Sequence, residues 1–115
     1  NMLSIPEKVP ENGYYYHYKH QSSGLVNNYA YEVLGIGFHT EDNCRPSDRV
    51  MVVYRPLYPE AQVYQVGKAF DLRPLEMFMG NVPEKGMVIR FVKITDQLVI
   101  GQLDKIKHQI YKSFG

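Results

Sequence analysis

Short β-favouring runs separated by turn-rich segments are the feature that most constrains how this chain folds. The runs are rich in tyrosine, valine and isoleucine, and glycine, proline or asparagine residues separate them. They span residues 13–20, 29–40, 49–58, 61–73 and 85–94. A chain of 115 residues makes one ordinary domain with a single core. The pattern therefore predicts a mainly β domain.

The second run shows the clearest alternation of side chains. Leu34, Ile36 and Phe38 are predicted to share one face of the strand, because successive strand side chains point in opposite directions. Val33 and Gly35 are then predicted on the opposite face. A glycine inside a strand is typical of a β-bulge, a tight bend or a close approach by another group. We therefore expect one of these features in the second strand.

The segment RPLEMF predicts one helical turn between the fourth and fifth strands. Pro74 suits the first position of a helix, because its φ is already helical and its missing N–H needs no partner there. Leu75, Met77 and Phe78 are expected to plug one end of the fold. Arg73 is the residue of this segment that core packing does not explain.

Residues 95–115 change from strand spacing to helical spacing. Thr95 or Asp96 is the predicted N-cap, since both side chains accept hydrogen bonds from the first turn of a helix. The predicted apolar stripe consists of Val99, Leu103, Ile106, Ile110 and Phe114. Lys107 and the neighbouring cations are expected to face solvent. We predict an amphipathic helix that packs on the β domain or forms a dimer contact.

Five short strands joined by tight turns favour a small β-barrel, because closing a short sheet removes its exposed edges. The expected organisation has three parts. Residues 1–12 form an extended lead-in, residues 13–94 form the barrel domain, and residues 95–115 form the helix.

Charge and cysteine content narrow the classes of function. The net charge is +1, so the total charge gives no indication of a nucleic acid, a membrane or an acidic substrate. No apolar run approaches the ~18 residues of a membrane span, and none is expected. Cys44 is the single cysteine, which excludes an internal disulfide and leaves it without a second thiol for a zinc site. A reducing cytoplasm is the expected location.

Four blocks of sequence, taken together, resemble a known family. They are YYHYK from Tyr15, YEVLGIGFHTED from Tyr31, VVYRPLY from Val52 and LRPLEMF from Leu72, followed by IRF from Ile89. In this order they are similar to the pattern of the bacterial domain of unknown function 1653 family, over about residues 13–94. The resemblance implies a compact SH3-like β-barrel without an assigned activity. The expected fold is thus a small SH3-like β-barrel of about five strands, with one short helical turn and a C-terminal amphipathic helix.

Polar residues within these blocks are the candidate ligand-binding residues, since core packing alone would not select them at these places. The hypothesised set is His17, Lys19, His39, Glu41, Tyr54, Arg55 and Arg73. The chain also has ten tyrosines, whose rings give a large contact area at low entropic cost. We therefore expect an uncharacterised binding module that recognises a protein or peptide through an aromatic and basic groove.

The sequence is also compatible with two other functions. Single-stranded nucleic acid or a nucleotide would also use basic residues beside tyrosine rings. A small enzyme would use His39 and Glu41 for acid–base chemistry, although no nucleophile motif accompanies them. We assign no catalytic residue, no metal ligand and no cofactor, and we expect a monomer or a weak homodimer.

Overall fold

The chain folds around one antiparallel sheet. The computed structural model describes residues 3–58, 64 and 67–111. The strands are β1 (Gly13–His17), β2 (Ala30–Phe38), β3 (Val50–Pro56), β4 (Asp71–Pro74) and β5 (Phe91–Lys93). They lie in the order β4-β3-β2-β1-β5, and every pairing is antiparallel. The prediction of a mainly β domain with about five strands is confirmed.

Helical segments follow the fourth and fifth strands and occupy two of the turns. The α-helices are α1 (Leu75–Met79) and α2 (Gln97–Ile110), and the short 3-10 helices are Pro46–Asp48 and Pro83–Lys85. Asp96 caps α2, because its carboxylate accepts the N–H groups of Leu98 at 2.9 Å and Val99 at 3.4 Å. The predicted C-terminal helix and one of its two candidate caps are therefore confirmed. Among the described residues, no helix has the length and apolar character needed to cross a membrane.

Two sequence predictions fall partly outside the described residues. The fourth strand was predicted over 61–73, but residues 61–63 and 65–66 are not described and β4 begins only at Asp71. Gly67 lies in a turn with φ of +73°, a conformation that glycine adopts without strain. Phe114, predicted on the apolar stripe of the helix, also lies outside the described residues.

A β-bulge changes which side chains of β2 share a face. Val33 pairs with Tyr54, whereas Gly35 pairs with Val53, so Leu34 is the extra residue between two registers. Ile36 then pairs with Val52 and lies on the same face as Val33. The bulge predicted from the glycine is confirmed, but the prediction that Ile36 and Val33 lie on opposite faces is wrong, because the bulge reverses the alternation.

The sheet is strongly curled toward one face. Phe91 on the edge strand β5 lies three strands from Tyr54 on β3, which in a flat sheet corresponds to about 14 Å. Their ring centroids are only 5.5 Å apart. Within the described residues no hydrogen bonds join the two edge strands β4 and β5. The sheet is therefore open and is not closed as the predicted barrel, although its two edges bend toward each other.

The curl gives the sheet a convex face and a concave face, each with its own core. On the convex face α2 covers a cluster that contains Tyr14, Ala30 and Leu57, with Leu103 of the helix fully buried. The concave-face core contains Tyr15, Val33, Val52, Tyr54, Phe78 and Phe91. The helix thus packs on the sheet of its own chain, and the aromatic residues concentrate on the opposite face.

Helix α1 closes one end of the concave face, and Phe78 is its one fully buried side chain. Phe78 is 1 % exposed, and its ring stacks on that of Phe91 at 4.1 Å. Leu75 packs against the same cluster. Met77 is 47 % exposed, so the prediction that it also plugs this end is wrong. Pro74 is the N-cap of α1 rather than its first residue.

Candidate functional site

A basic and aromatic cluster occupies the rim of the concave face. We call it the His17 cluster and define it by His17, Tyr54, Arg73, Arg90 and Phe91. The strand register places these side chains on one face of the sheet. His17 on β1 pairs with Phe91 on β5, and Arg73 on β4 pairs with Val52, two residues before Tyr54 on β3. Arg90 immediately precedes β5. The curl of the sheet then brings the members of opposite edges together.

The ring of Phe91 is the platform of the cluster. The His17 ring meets it edge-on, with centroids 5.1 Å apart at an interplanar angle of 75°. The Arg73 guanidinium carbon lies 5.6 Å from the same ring centroid, within the distance at which a cation and an aromatic ring attract each other. His17 and Arg73 therefore share one aromatic support, although they lie on different strands.

Arg73 is held in place by a hydroxyl group rather than by a carboxylate. Its Nε donates to the Tyr54 hydroxyl at 3.1 Å. Asp71, two residues away on β4, accepts a hydrogen bond from Tyr64 instead. In the described part of the chain Arg73 forms no ion pair, and its two terminal amino groups have no protein acceptor. The guanidinium thus retains donor capacity for a ligand.

Arg90 adds a second positive charge with a similar arrangement. Its Nε donates to the backbone carbonyl oxygen of Met77 at 3.2 Å, which fixes the guanidinium above α1. It too lacks an ion pair among the residues that the structure describes. The charge of Arg90 acts on both His17 and Tyr54. The cluster therefore has a surplus of positive charge.

His17 is a neutral hydrogen-bond donor in this environment. Burial, followed by the charges of Arg73, Lys19 and Arg90, lowers the pKa of His17 to about 4. Its Nδ1 accepts the backbone N–H of Lys19 at 3.2 Å. In the neutral ring the proton must then be on Nε2. Nε2 has no acceptor among the described residues, so this N–H is also available to a ligand.

Tyrosine side chains extend the rim beside His17. The hydroxyl groups of Tyr31 and Tyr58 share a hydrogen bond, and burial is the main cause of the raised pKa of Tyr31. Tyr29 is 39 % exposed and has a φ of +51°, an unusual conformation for a large side chain. Its ring lies 5.7 Å from that of His17 and 6.0 Å from that of Tyr58. Tyr29 thus holds a partly exposed ring next to the His17 cluster.

An open groove of about 430 Å³ lies next to this rim. Its lining residues are Tyr18, Lys19, Gln21, Tyr29, Lys85 and Val88. The Tyr18 ring lies 4.4 Å from that of His17, which makes the groove continuous with the cluster. We call it the Tyr18–Tyr29 groove. It combines two aromatic rings with two lysines.

The structure brings together only part of the predicted site. His17, Tyr54 and Arg73 meet in the cluster, and Lys19 lies at its edge, where its ammonium group is 5.9 Å from the Tyr18 ring centroid. Arg55 lies on the convex face beneath α2. There its Nε donates to Glu32 at 3.0 Å.

His39 and Glu41 lie at the other end of β2. His39 follows the strand end that pairs with Val50, while His17 lies beside Tyr29 at the strand start. A strand of nine residues spans roughly 30 Å. The Nδ1 of His39 accepts the backbone N–H of Glu41 at 3.2 Å, a local contact that shapes the loop. These two residues therefore do not contribute to the His17 cluster.

Arg90, Phe91 and Tyr29 belong to the site or its rim but were not predicted there from the sequence. A signal for Arg90 and Phe91 existed in the block IRF, which matches the end of the family pattern. No pattern in the sequence indicated Tyr29, since its position depends on an unusual backbone conformation. Within the described ranges no three His, Cys, Asp or Glu side chains come together as a metal site would require.

Comparison with known proteins assigns the family. Residues 13–93 match the family described as "Protein of unknown function (DUF1653)", and the chain belongs to this family. The match covers all five strands and α1, so the whole His17 cluster lies inside it. Helix α2 lies outside the match. No curated protein and no solved structure matches the chain.

Proposed function

We propose that this protein is a binding module that recognises a protein or peptide segment through the His17 cluster and the adjoining tyrosine rim. In this proposal the curled sheet acts as an incomplete SH3-like barrel, and the ligand lies where its two edges approach each other. Small β domains commonly bind peptides at aromatic-lined surfaces of this kind. The preferred segment carries negative charge, since the cluster has a surplus of positive charge.

One observation supports this proposal above the others. Arg73 lies against the buried ring of Phe91, and Arg90 is held by the backbone carbonyl oxygen of Met77. Neither arginine forms an ion pair within the described residues. Arginine and tyrosine are the residue types that most often dominate the binding energy of an interface. A guanidinium that is already oriented loses little entropy when it binds a ligand. The cluster therefore has the properties of a preorganised binding surface.

A peptide-binding experiment tests the proposal. The full chain is titrated against labelled peptides that differ only in acidic content, with fluorescence anisotropy as the readout. Acidic peptides should bind best, and Arg73→Gln should lower their affinity at least tenfold. Arg45→Gln is the matched control, because Arg45 is 82 % exposed and paired with Asp48 in a separate turn. Equal affinities of the two variants, or no peptide binding at all, would contradict the proposal.

Single-stranded nucleic acid is the second candidate, and the Tyr18–Tyr29 groove favours it. Two tyrosine rings can stack on bases, while Lys19 and Lys85 can bind phosphates. Replacing Lys85 and Tyr29 should then weaken the binding of a labelled oligonucleotide more than Arg73→Gln does. The affinity should also fall steeply with salt concentration. A flat salt response of oligonucleotide binding would eliminate this candidate.

A further inference from the structure

The donors of the His17 cluster outnumber its acceptors. Arg73 has two terminal amino groups without a protein acceptor among the described residues, and the His17 Nε2–H likewise has none. The Tyr54 hydroxyl already accepts from Arg73. Asp71 is the nearby carboxylate, and it accepts from Tyr64 rather than from the cluster. A ligand group at this place must therefore supply acceptor atoms.

We propose that His17 and Arg73 together form an oxyanion site, which binds one carboxylate or phosphoryl group between the His17 Nε2–H and the Arg73 guanidinium. This inference rests on the proposed function, because it names the chemical group of the ligand that the cluster recognises. Both side chains lie against the Phe91 ring, which places their free donors on one side of the sheet. The planar guanidinium can hold two oxygens of such a group at once.

The neutral state of His17 gives the site its character. A charged imidazole would repel the neighbouring arginines, whereas a neutral one adds a directed hydrogen bond without that repulsion. The contact between Lys19 N–H and Nδ1 fixes the ring in the tautomer that donates from Nε2. Arg90 stays close enough for its charge to reach His17 and adds to the attraction for an anion. The low accessibility of Tyr54 and Phe91 beneath the site strengthens these interactions, because little water screens them.

The experiment uses small anions as probes, so it does not depend on knowing the natural ligand. Inorganic phosphate and acetate are titrated into the full chain, and the imidazole ¹⁵N and backbone amide signals are followed by NMR. Sodium chloride at matched ionic strength is the control titration. The expected result is a saturable shift of the His17 ring signals with phosphate, acetate or both. A response that chloride reproduces, or that does not saturate, would overturn the inference.

Variants separate the two donors. Arg73→Gln should raise the dissociation constant for the anion at least tenfold, whereas Arg45→Gln should leave it within twofold. His17→Phe keeps a ring on Phe91 but removes the N–H donor, so it should weaken binding about as much as Arg73→Gln. His17→Gln restores an N–H and should recover part of the affinity. Equal binding by His17→Phe and the parent chain would contradict the role of the Nε2–H.

A second arginine variant covers the case in which Arg73→Gln does not fold, as judged by circular dichroism. Arg73→Lys keeps the charge but loses the planar fork, and it should weaken the anion several-fold. If Arg73→Lys binds as tightly as the parent chain, a bidentate contact is ruled out.

The peptide and anion experiments can fail independently. Acidic peptides that bind without saturable anion binding would overturn the oxyanion site and leave the binding module standing. Saturable phosphate binding without any peptide binding would support the oxyanion site and contradict the proposal that the protein binds peptides. Binding of phosphate but not acetate would assign a phosphoryl group, and binding of acetate alone would assign a carboxylate.

Discussion

The two faces of the sheet use the same residue types in opposite ways. On the convex face Glu32 accepts from Arg55 and from Lys107, each at 3.0 Å, so both cations share a carboxylate partner inside the chain. The Arg55 guanidinium also lies 3.9 Å from the centroid of the Tyr111 ring, and α2 covers the arrangement. These contacts join the helix to the sheet, and their role is structural.

On the concave face the same combination of arginine and aromatic rings lacks the carboxylate. Arg73 and Arg90 bind a hydroxyl group and a backbone carbonyl oxygen, and no described acidic side chain forms an ion pair with either. A charge that the fold does not neutralise stays available to a ligand. We infer from this difference that an arginine on an aromatic ring is a candidate ligand-binding residue when its charge has no partner among the described residues.

The largest expected effect tests the core on which the concave site lies. Phe78→Ala removes a fully buried ring that stacks on Phe91, and it should reduce the free energy of unfolding by about 3–5 kcal/mol. Urea denaturation measures the change. Met77→Ala, in the same helix but 47 % exposed, should change it by less than ~0.5 kcal/mol. Similar losses in both variants would mean that α1 as a whole, rather than the ring, supports the concave face.

The next largest effect is the loss of stability when one charged residue of each face is replaced. Glu32→Gln should cost about 2 kcal/mol of unfolding free energy, less than a fully buried pair, because water reaches the partly exposed Arg55 and Lys107. Arg73→Gln removes no ion pair that the described residues form, and it should cost at most about 1 kcal/mol, the value of its hydrogen bond to Tyr54. Denaturant titrations of both variants provide the comparison. A larger loss for Arg73→Gln than for Glu32→Gln would make Arg73 a structural residue.

The pH dependence of the stability tests the role of His17 on the concave face. Its pKa is about 4 in the folded chain against 6.5 in the unfolded chain, so the unfolded chain takes up the proton first as the pH falls. The stability that the neutral ring provides is present above pH 6.5 and is lost as the pH falls toward 4. Because the ring is only half-buried, we expect the loss to be about 1 kcal/mol.

His17→Gln isolates this contribution from the other titrating groups. The stability difference between the parent chain and the variant should shrink between pH 7 and pH 4. Arg73→Gln should also raise the pKa of His17 in an NMR titration, since the charge of Arg73 is the next cause after burial. Parallel stability curves for the parent chain and His17→Gln would show that His17 titrates as an ordinary exposed histidine.

The smallest expected effect concerns Tyr29. Its positive φ disfavours most side chains but suits asparagine, so Tyr29→Asn should change the unfolding free energy by less than ~0.5 kcal/mol while it removes the ring. Ligand binding at the rim should weaken nevertheless. A stability loss above ~2 kcal/mol would place the Tyr29 ring in the structural core instead.

Much of the fold follows from local sequence. The β-favouring runs, the glycine at the bulge of β2 and the cap at Asp96 are all visible in the sequence, because each depends on the conformational preferences of a few neighbouring residues. The short helix at RPLEMF is visible in the same way. The family membership follows from the order of the four sequence blocks. The sequence also determined that Arg73 has no obvious role in the core.

Only the tertiary structure decided which polar residues meet. Alternation places Tyr54 and Arg55 on opposite faces, but it does not say that Arg55 lies under α2 beside Glu32 and Lys107. Lys107 was expected to face solvent, and its ion pair exists because the helix packs across β2. The cluster of His17 and Arg73 depends on the curl that brings the two edge strands together. Curl and register arise from the packing of the whole sheet, and no short stretch of sequence encodes them.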